Sequence, residues 1–184
     1  MGRPKQLLRF DGETLLRRAA HAALEAGCDP VVVVTGAHAE RMRDELRGLD
    51  VLEVENQRWE TGMGSSVVAG VEKLLEAQPG VDAVVLLLCD QPFASHEVVA
   101  RLVAARHATG RDVVASQYGE SYGVPALFGR ALFDELTRLE GHAGAKQVIK
   151  SHAASAHFVP FPGGEIDVDT PDDLSRLLST QARR

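Results

Sequence analysis

Leu86-Leu87-Leu88-Cys89-Asp90-Gln91-Pro92 is the stretch on which the fold turns. It closes a run of six apolar residues, 83–88 (Ala-Val-Val-Leu-Leu-Leu), of the length of a strand buried on both faces. Pro92 cannot extend such a strand and holds Gln91 in extended backbone. In open α/β sheets ligands bind beyond the carboxyl ends of the strands, so Asp90 stands where chemistry is placed. A carboxylate there can hold Mg²⁺ through hard oxygen ligation. Asp is also a turn former, but directly after six apolar residues the functional reading is the stronger.

A second apolar run, 31–34 (four valines), has the same character. Helical stripes flank the two runs: Leu16, Ala20 and Leu24; Val67, Val71, Leu74 and Leu75; Val98, Val99, Leu102 and Val103; Leu132, Phe133, Leu136 and Leu139. Further strands are predicted at 112–115, near 124–128, at 157–160 and at 165–168. A last helix is expected from Pro171, capped by Thr170, with Asp172 and Asp173 in its first turn. Strands alternating with amphipathic helices predict an α/β protein. The expected form is a Rossmann-like, three-layer α/β/α fold with a mostly parallel mixed sheet, one domain over residues 1–184.

Composition removes several alternatives. The chain has 184 residues, 45% hydrophobic and 25% charged, which is ordinary for a globular domain. A net charge of −6 argues against a partner bound through its phosphate backbone, so no nucleic acid is expected. No apolar run reaches membrane length, and no signal-type apolar core follows the basic start, which predicts a cytoplasmic protein. Cys28 and Cys89 have no metal-ligand spacing, and Cys89 reads as a small buried hydrophobe.

Other stretches could carry chemistry. Gly2-Arg3-Pro4-Lys5 could present a fixed cationic corner to a phosphate, though alone it reads as an ordinary basic start. Trp59-Glu60-Thr61-Gly62-Met63-Gly64-Ser65-Ser66 precedes a helical stripe and could form a backbone nest for an anion or a base edge; a flexible loop with a Ser cap is the bland alternative. Gly123-Val124-Pro125 interrupts an apolar segment, signalling a bulge or an edge. Gly141-His142-Ala143-Gly144-Ala145-Lys146 leads into a helix, and His142 reads as solvated. Alternation along 165–169 sets Asp167 and Asp169 on one face, a plausible second half of a metal site with Asp90.

Taken in order, MGRPKQLL, VVVVTG, NQRWETGMGSS, LLLCDQPF, YGVPALFG, GHAGAK and DVDTPDDL resemble the molybdenum cofactor cytidylyltransferase family, within the nucleoside-triphosphate transferase superfamily. The resemblance runs from Met1 to about Leu177, and TGMGSS, CDQP, GVPALF and DVDTP are its most specific pieces. It implies transfer of CMP from CTP to the terminal phosphate of a molybdopterin, with release of pyrophosphate. Lys5 matches the phosphate-contacting and catalytic lysine, with Arg3 beside it. Thr61, Gly62, Met63, Gly64, Ser65 and Ser66 match the loop approaching the nucleotide, and Gln91, Gly123 and Pro125 lie toward the acceptor. Asp90 matches the catalytic, Mg²⁺-binding aspartate, and Asp169 completes the metal site. Guanylyl-transferring relatives carry a Gly-Pro-Leu type loop where this chain has TGMGSS, which favours cytidine. The implied partners are CTP, a molybdopterin-type acceptor, and a molybdoenzyme client or chaperone.

Two departures stand out. The family motif begins with an apolar strand and a Leu-Ala-Ala-Gly-x-Ser-x-Arg loop running into Met-Gly-x-Pro-Lys, and this sequence opens at that Met. The expectation is a reading frame that starts upstream; the alternative is a natural truncation. His142 stands where the family usually has Asp. Three readings follow: the cytidylyltransferase, a nucleotidyltransferase for another small phosphate acceptor, and a non-catalytic cofactor-binding or escort protein.

Overall fold

The computed structural model describes residues 4–181, so Arg3 lies outside the described residues. A turn of 3-10 helix, Lys5–Leu7, leads into a two-stranded hairpin, β1 (Arg9–Phe10) and β2 (Glu13–Thr14). Asp11 and Gly12 form its turn, both at positive φ, the geometry that Asp-Gly supplies best. Thr14 then caps α1 (Leu15–Glu25), its hydroxyl accepting from the Arg17 amide at 3.3 Å. The chain continues through β3 (Val32–Thr35), α2 (Ala39–Leu46), β4 (Leu52–Glu55), α3 (Met63–Ala77), β5 (Ala83–Leu86) and α4 (His96–Thr109). The last part comprises β6 (Val113–Tyr118), β7 (Ser121–Gly129), α5 (Phe133–Leu136), α6 (Ala145–Ser151), β8 (His157–Pro160) and α7 (Pro171–Gln181).

The four-stranded sheet has the order β5-β7-β6-β8, and its side chains separate by the period of two. Val84, Leu86, Val113, Ala115, Ala126 and Phe128 pack on one face with Val71 of α3, Leu136 of α5 and Val148 and Ile149 of α6. Ala83, Val85, Val114 and Leu127 pack on the other with Leu102 of α4. Helices therefore cover both faces, the three-layer α/β/α arrangement. Each fully buried Phe, Leu or Val contributes about 1.5–3 kcal/mol relative to exposure.

The sheet is mixed. β6 and β8 pair in parallel and β7 runs against both β5 and β6, while β3 and β4 form a separate two-stranded parallel sheet. The β6/β7 ladder shifts register between Ala115 and Ser116, because Ala115 pairs with Ala126 and Ser116 with Gly123. Pro125 causes this, having no N–H to donate; the Ser116 hydroxyl donates instead to the Pro125 carbonyl at 2.6 Å.

One predicted strand is corrected. Residues 165–168 form no ladder among the described residues; the Ile166 amide donates to the Gly163 carbonyl at 3.2 Å and the Val168 amide to the Asp90 carbonyl at 2.8 Å. The alternation there is real, with Val168 buried among Leu8, Phe10 and Leu15, but among the described residues no neighbouring strand runs alongside it. The cap at Thr170 forms as expected: its hydroxyl accepts from the Asp173 amide, and Asp173 Oδ2 accepts from the Thr170 amide at 2.9 Å. Among the described residues no helix is long and apolar enough to cross a membrane.

Between β3 and β5 lies a cavity of about 1140 Å³, walled by residues 31–34 and 83–88 and by α3. No strand among the described residues bridges it.

Candidate active site

The site is built where the chain returns three times to the carboxyl end of β5. Leu7 and Leu8 are buried and anchor the turn that carries Lys5. Lys5 Nζ donates to Asp90 Oδ2 at 2.7 Å and to Asp169 Oδ1 at 2.6 Å. Asp90 Oδ1 is buried and has no hydrogen-bond partner. The side chains of Lys5, Asp90 and Asp169 are 32%, 16% and 63% exposed, so the cluster is sealed beneath and open above.

Besides the Val168 amide on its carbonyl, two side-chain ties hold the residues that follow Asp90. The Gln91 amide nitrogen donates to the Gly164 carbonyl at 2.9 Å, leaving its oxygen buried without a partner. Arg18 of α1 donates to the Pro92 carbonyl at 2.7 Å and lies over the Phe10 ring, 5.1 Å from its centroid. A side chain whose neighbours are fixed loses little entropy on binding, which is what a charge-handling site requires.

The electrostatics follow from crowding. Burial alone pulls the Lys5 pKa down, but hydrogen bonds and charges from Asp169 and Asp90 outweigh it and raise the value above that of ordinary lysine. The Asp167 carboxyl is raised by burial and by the charges of Asp90 and Asp169, with Lys5 opposing. Burial, with a contribution from Asp167, raises Tyr118. Burial, then the Asp90 charge, pushes the Cys89 thiol up to about 12, so it is protonated and no nucleophile at neutral pH.

The loop at residues 56–66 is organised from within. Buried Asn56 donates to Ser65 Oγ at 2.8 Å and Ser66 Oγ at 3.0 Å, and accepts from the Arg58 amide at 2.9 Å. Thr61 spends its hydroxyl on the Arg58 carbonyl, and Ser65 Oγ lies 2.8 Å from the Gly62 carbonyl. The Gly64 amide donates to the Gly141 carbonyl at 3.1 Å, so it is not free for an anion. Gly62 adopts φ +121°, and a Cβ there would meet the Gly141 carbonyl. Trp59 and Met63 remain exposed at the loop's crest.

Lys5, Asp90 and Asp169, read separately in the sequence, thus meet within hydrogen-bond distance. Met63, Ser66, Gln91 and Gly123 line the cavity that opens beside them, as do Tyr118, His142, Lys146 and Asp167. Thr61, Gly62, Gly64 and Ser65 shape that rim without lining the cavity, and Pro125 is buried in β7. Gly123 is small for a reason: a Cβ there would collide with the Tyr118 hydroxyl. Sequence reasoning included Asn56 and Lys146 in its candidate stretches but gave neither a role of its own. Asn56 had a usable signal, a polar residue immediately after a strand.

A divalent cation fits the donor set. Asp90 Oδ1 is a buried acceptor without a donor, Asp169 offers an exposed carboxylate, and Mg²⁺ is commonly held by one or two carboxylates together with substrate phosphates. Among the described residues no group of three or more His, Cys, Asp or Glu side chains forms a closed metal cage.

A cation bridging two acids at the carboxyl end of a strand, beneath a glycine-rich rim, is an arrangement for handling phosphates. Residues 1–156 match the model of the MobA-like NTP transferase domain. The chain belongs to this family. It is a nucleotidyltransferase of the MobA-like family. It is 32% identical over 189 residues to nicotine blue oxidoreductase of Paenarthrobacter nicotinovorans, covering 95% of this chain and 88% of that one. It is 28% identical over 181 residues to molybdenum cofactor guanylyltransferase of Rhodobacter capsulatus, covering 96% and 87%. The crystal structure of Rv0371c from Mycobacterium tuberculosis superposes with a TM-score of 0.79 at 30% identity, covering 97% of this chain and 91% of that one. A second structure of Rv0371c, in complex with manganese, superposes at 0.77, covering 97% and 94% at 30% identity.

Proposed function

We propose that this MobA-like domain, a single unit over the whole chain, transfers CMP from CTP to the terminal phosphate of a molybdopterin-type acceptor and releases pyrophosphate. The observation that carries the reading is the Lys5 bridge between Asp90 and Asp169 with Asp90 Oδ1 left open. The acceptor class is supported by similarity to the Rhodobacter capsulatus guanylyltransferase, and a divalent metal by the manganese complex of Rv0371c. Cytidine is favoured by TGMGSS at residues 61–66 in place of a Gly-Pro-Leu type loop.

An oxygen of the acceptor phosphate attacks the α-phosphorus of CTP. The bond from that phosphorus to the β-bridging oxygen breaks, and pyrophosphate leaves with the electron pair. Lys5 stays protonated throughout the neutral range and turns from its carboxylates to phosphate oxygens as charge develops. Asp90 and Asp169 would hold Mg²⁺, which would neutralise phosphate charge. Gln91 keeps Asp90 in place through Gly164, and the rim of Met63 and Ser66 approaches the nucleotide. Gly123 and Pro125 shape the acceptor side. A molybdoenzyme or its chaperone is the partner that would receive the product.

The test is pyrophosphate release with CTP, GTP or ATP, each with molybdopterin or with small phosphorylated acceptors, in Mg²⁺ or Mn²⁺. Release confined to CTP with the pterin is the expected result. Preference for GTP would move the base assignment, and release with a sugar or organic phosphate would move the acceptor. Pterin binding without pyrophosphate release would make the chain an escort rather than an enzyme.

A further inference from the structure

Two of the three large apolar side chains that stand exposed among the described residues belong to one rim: Trp59 at 46% and Met63 at 50%. Met63 lines the mouth of the cavity with Ser66 and Gln91, and Trp59 stands just outside it. Among the described residues no other ring packs on the indole, and its N–H has no partner. Single exposed apolar residues are ordinary, but a pair on the rim of a ligand cavity marks a contact surface.

The indole is held by its root. Gly36 follows β3 directly, and a Cβ on it would lie 2.8 Å from Trp59 Cβ and 3.0 Å from Trp59 Cγ. The φ of Gly36 is outside the left-handed region, so close approach of the tryptophan, not backbone conformation, is what calls for glycine there. The Trp59 amide donates to the Asn56 carbonyl at 3.3 Å, and the Trp59 carbonyl accepts from the Gly62 amide at 3.3 Å. Asn56 also holds Ser65 and Ser66, so one buried side chain ties the tryptophan's turn to the rest of the rim. A ring fixed in this way loses little further freedom when a second ring is laid on its open face.

Position identifies the second ring. β7, which carries Gly123 and Pro125 on the acceptor side, pairs with β5. β3 lies on the other side of β5, across the cavity. Lys5 and Asp90 stand between these flanks, at the carboxyl end of β5. With phosphates at Lys5 and the acceptor toward β7, the flank left for the base is that of β3 and Trp59. We propose that the Trp59 indole is the platform on which the base of the nucleoside triphosphate stacks, with Met63 extending its apolar surface to the cavity mouth. This rests on the nucleotide site proposed above and adds the element that holds the base by its face. Every base has a π-face, so the platform supplies affinity without choosing among bases. Choice of cytidine falls to the loop at residues 61–66.

The chain has one tryptophan, so its emission reports this ring alone. The 184-residue chain is titrated in Mg²⁺ with CTP, GTP, ATP and, as a ligand without a base, inorganic triphosphate, with calorimetry in parallel. Each nucleotide that binds should change the Trp59 emission lifetime and shield the indole from acrylamide, saturating with the calorimetric Kd; triphosphate should do neither. Trp59→Leu should weaken each of these nucleotides by a similar factor, about 5- to 100-fold, and leave triphosphate unchanged. Trp59→Phe, which keeps an aromatic face, should retain most of the affinity. Nucleotide binding that leaves lifetime and acrylamide access unchanged overturns the platform and leaves the nucleotide site standing. Binding of none of the three nucleotides overturns both. Equal loss of triphosphate in Trp59→Leu would make the tryptophan a prop of the loop and overturn the platform. A Trp59→Leu variant that loses a pterin phosphate and keeps its nucleotides would overturn the assignment to the base.

Discussion

Lys5 Nζ lies 2.7 Å from one oxygen of Asp90, and the other oxygen of that carboxylate is buried without a partner. The pair is therefore incomplete as a structural salt bridge: the lysine can exchange carboxylate for phosphate, and Oδ1 keeps a lone pair for a cation. Removing a single preorganised charge contact commonly lowers turnover by about 10²–10³-fold. Asp90→Asn and Lys5→Met should each lose that much pyrophosphate release while far-UV and near-UV circular dichroism stay native. Because both act on the same phosphates, the double variant should lose much less than the product of the single losses. Single variants with near-normal rates would remove both residues from the proposed chemistry.

Asp167 gives a pH test. Its folded pKa is raised by burial and by Asp90 and Asp169 above the unfolded value of about 3.9. A carboxyl raised on folding contributes stability at low pH, where it is protonated, and loses it as pH rises through the folded value. At pH 7 ionised Asp167 is thus a cost, and Asp167→Asn should raise Tm. The side chain is well exposed, so solvent screening limits the gain to no more than about 2–4 °C. The advantage should vanish near pH 3. Melting curves taken with a chelator across that range decide it, since a bound cation would reverse the local charge balance. Equal melting temperatures at pH 7 and pH 3 for both proteins would show that Asp167 is not under this pressure.

The sequence made the core of the site legible because its elements are locally encoded. Six apolar residues before Asp90 need no distant partner to read as a strand, and Thr170 with Asp173 carries its own cap. That strand forms over Ala83–Leu86, though only half-buried rather than buried on both faces. Where tertiary partners decide, reading failed. β4 is Leu-Glu-Val-Glu, whose Glu53 accepts from Thr35 and Arg43 at 3.1 and 2.8 Å, contacts invisible before β3 and α2 are placed. Residues 165–168 alternate like a strand but have no ladder partner among the described residues. The resemblance sets Ser65 in the loop that approaches the nucleotide, yet buried Asn56, nine residues earlier, claims its hydroxyl for the loop. Whether a hydroxyl is free is a property of the whole hydrogen-bond network, which spacing does not carry.

The glycines of the rim can be tested against each other. A Cβ on Gly64 would lie 2.8 Å from the Ala143 carbonyl oxygen and 3.2 Å from that of Gly141, both backbone atoms that cannot rotate away. Gly64→Ala must push the segment 141–144 off the loop and strain the Gly64–Gly141 hydrogen bond, at a cost of about 1–3 kcal/mol. Gly80 is the matched control, because a Cβ there meets nothing within 4 Å and its φ is not in the left-handed region. Gly80→Ala should be neutral or stabilise by about 0.4–1 kcal/mol through the unfolded chain. Urea titrations read both values. Since Met63 Sδ would lie 3.1 Å from a Cβ on Gly144, displacing 141–144 also shifts Met63 at the cavity mouth. Gly64→Ala should then weaken nucleotide binding beyond its effect on stability, measured well below its urea midpoint. Equal stability of the two alanine variants would mean that the rim yields to the added methyl group and that its close packing is not what fixes the loop.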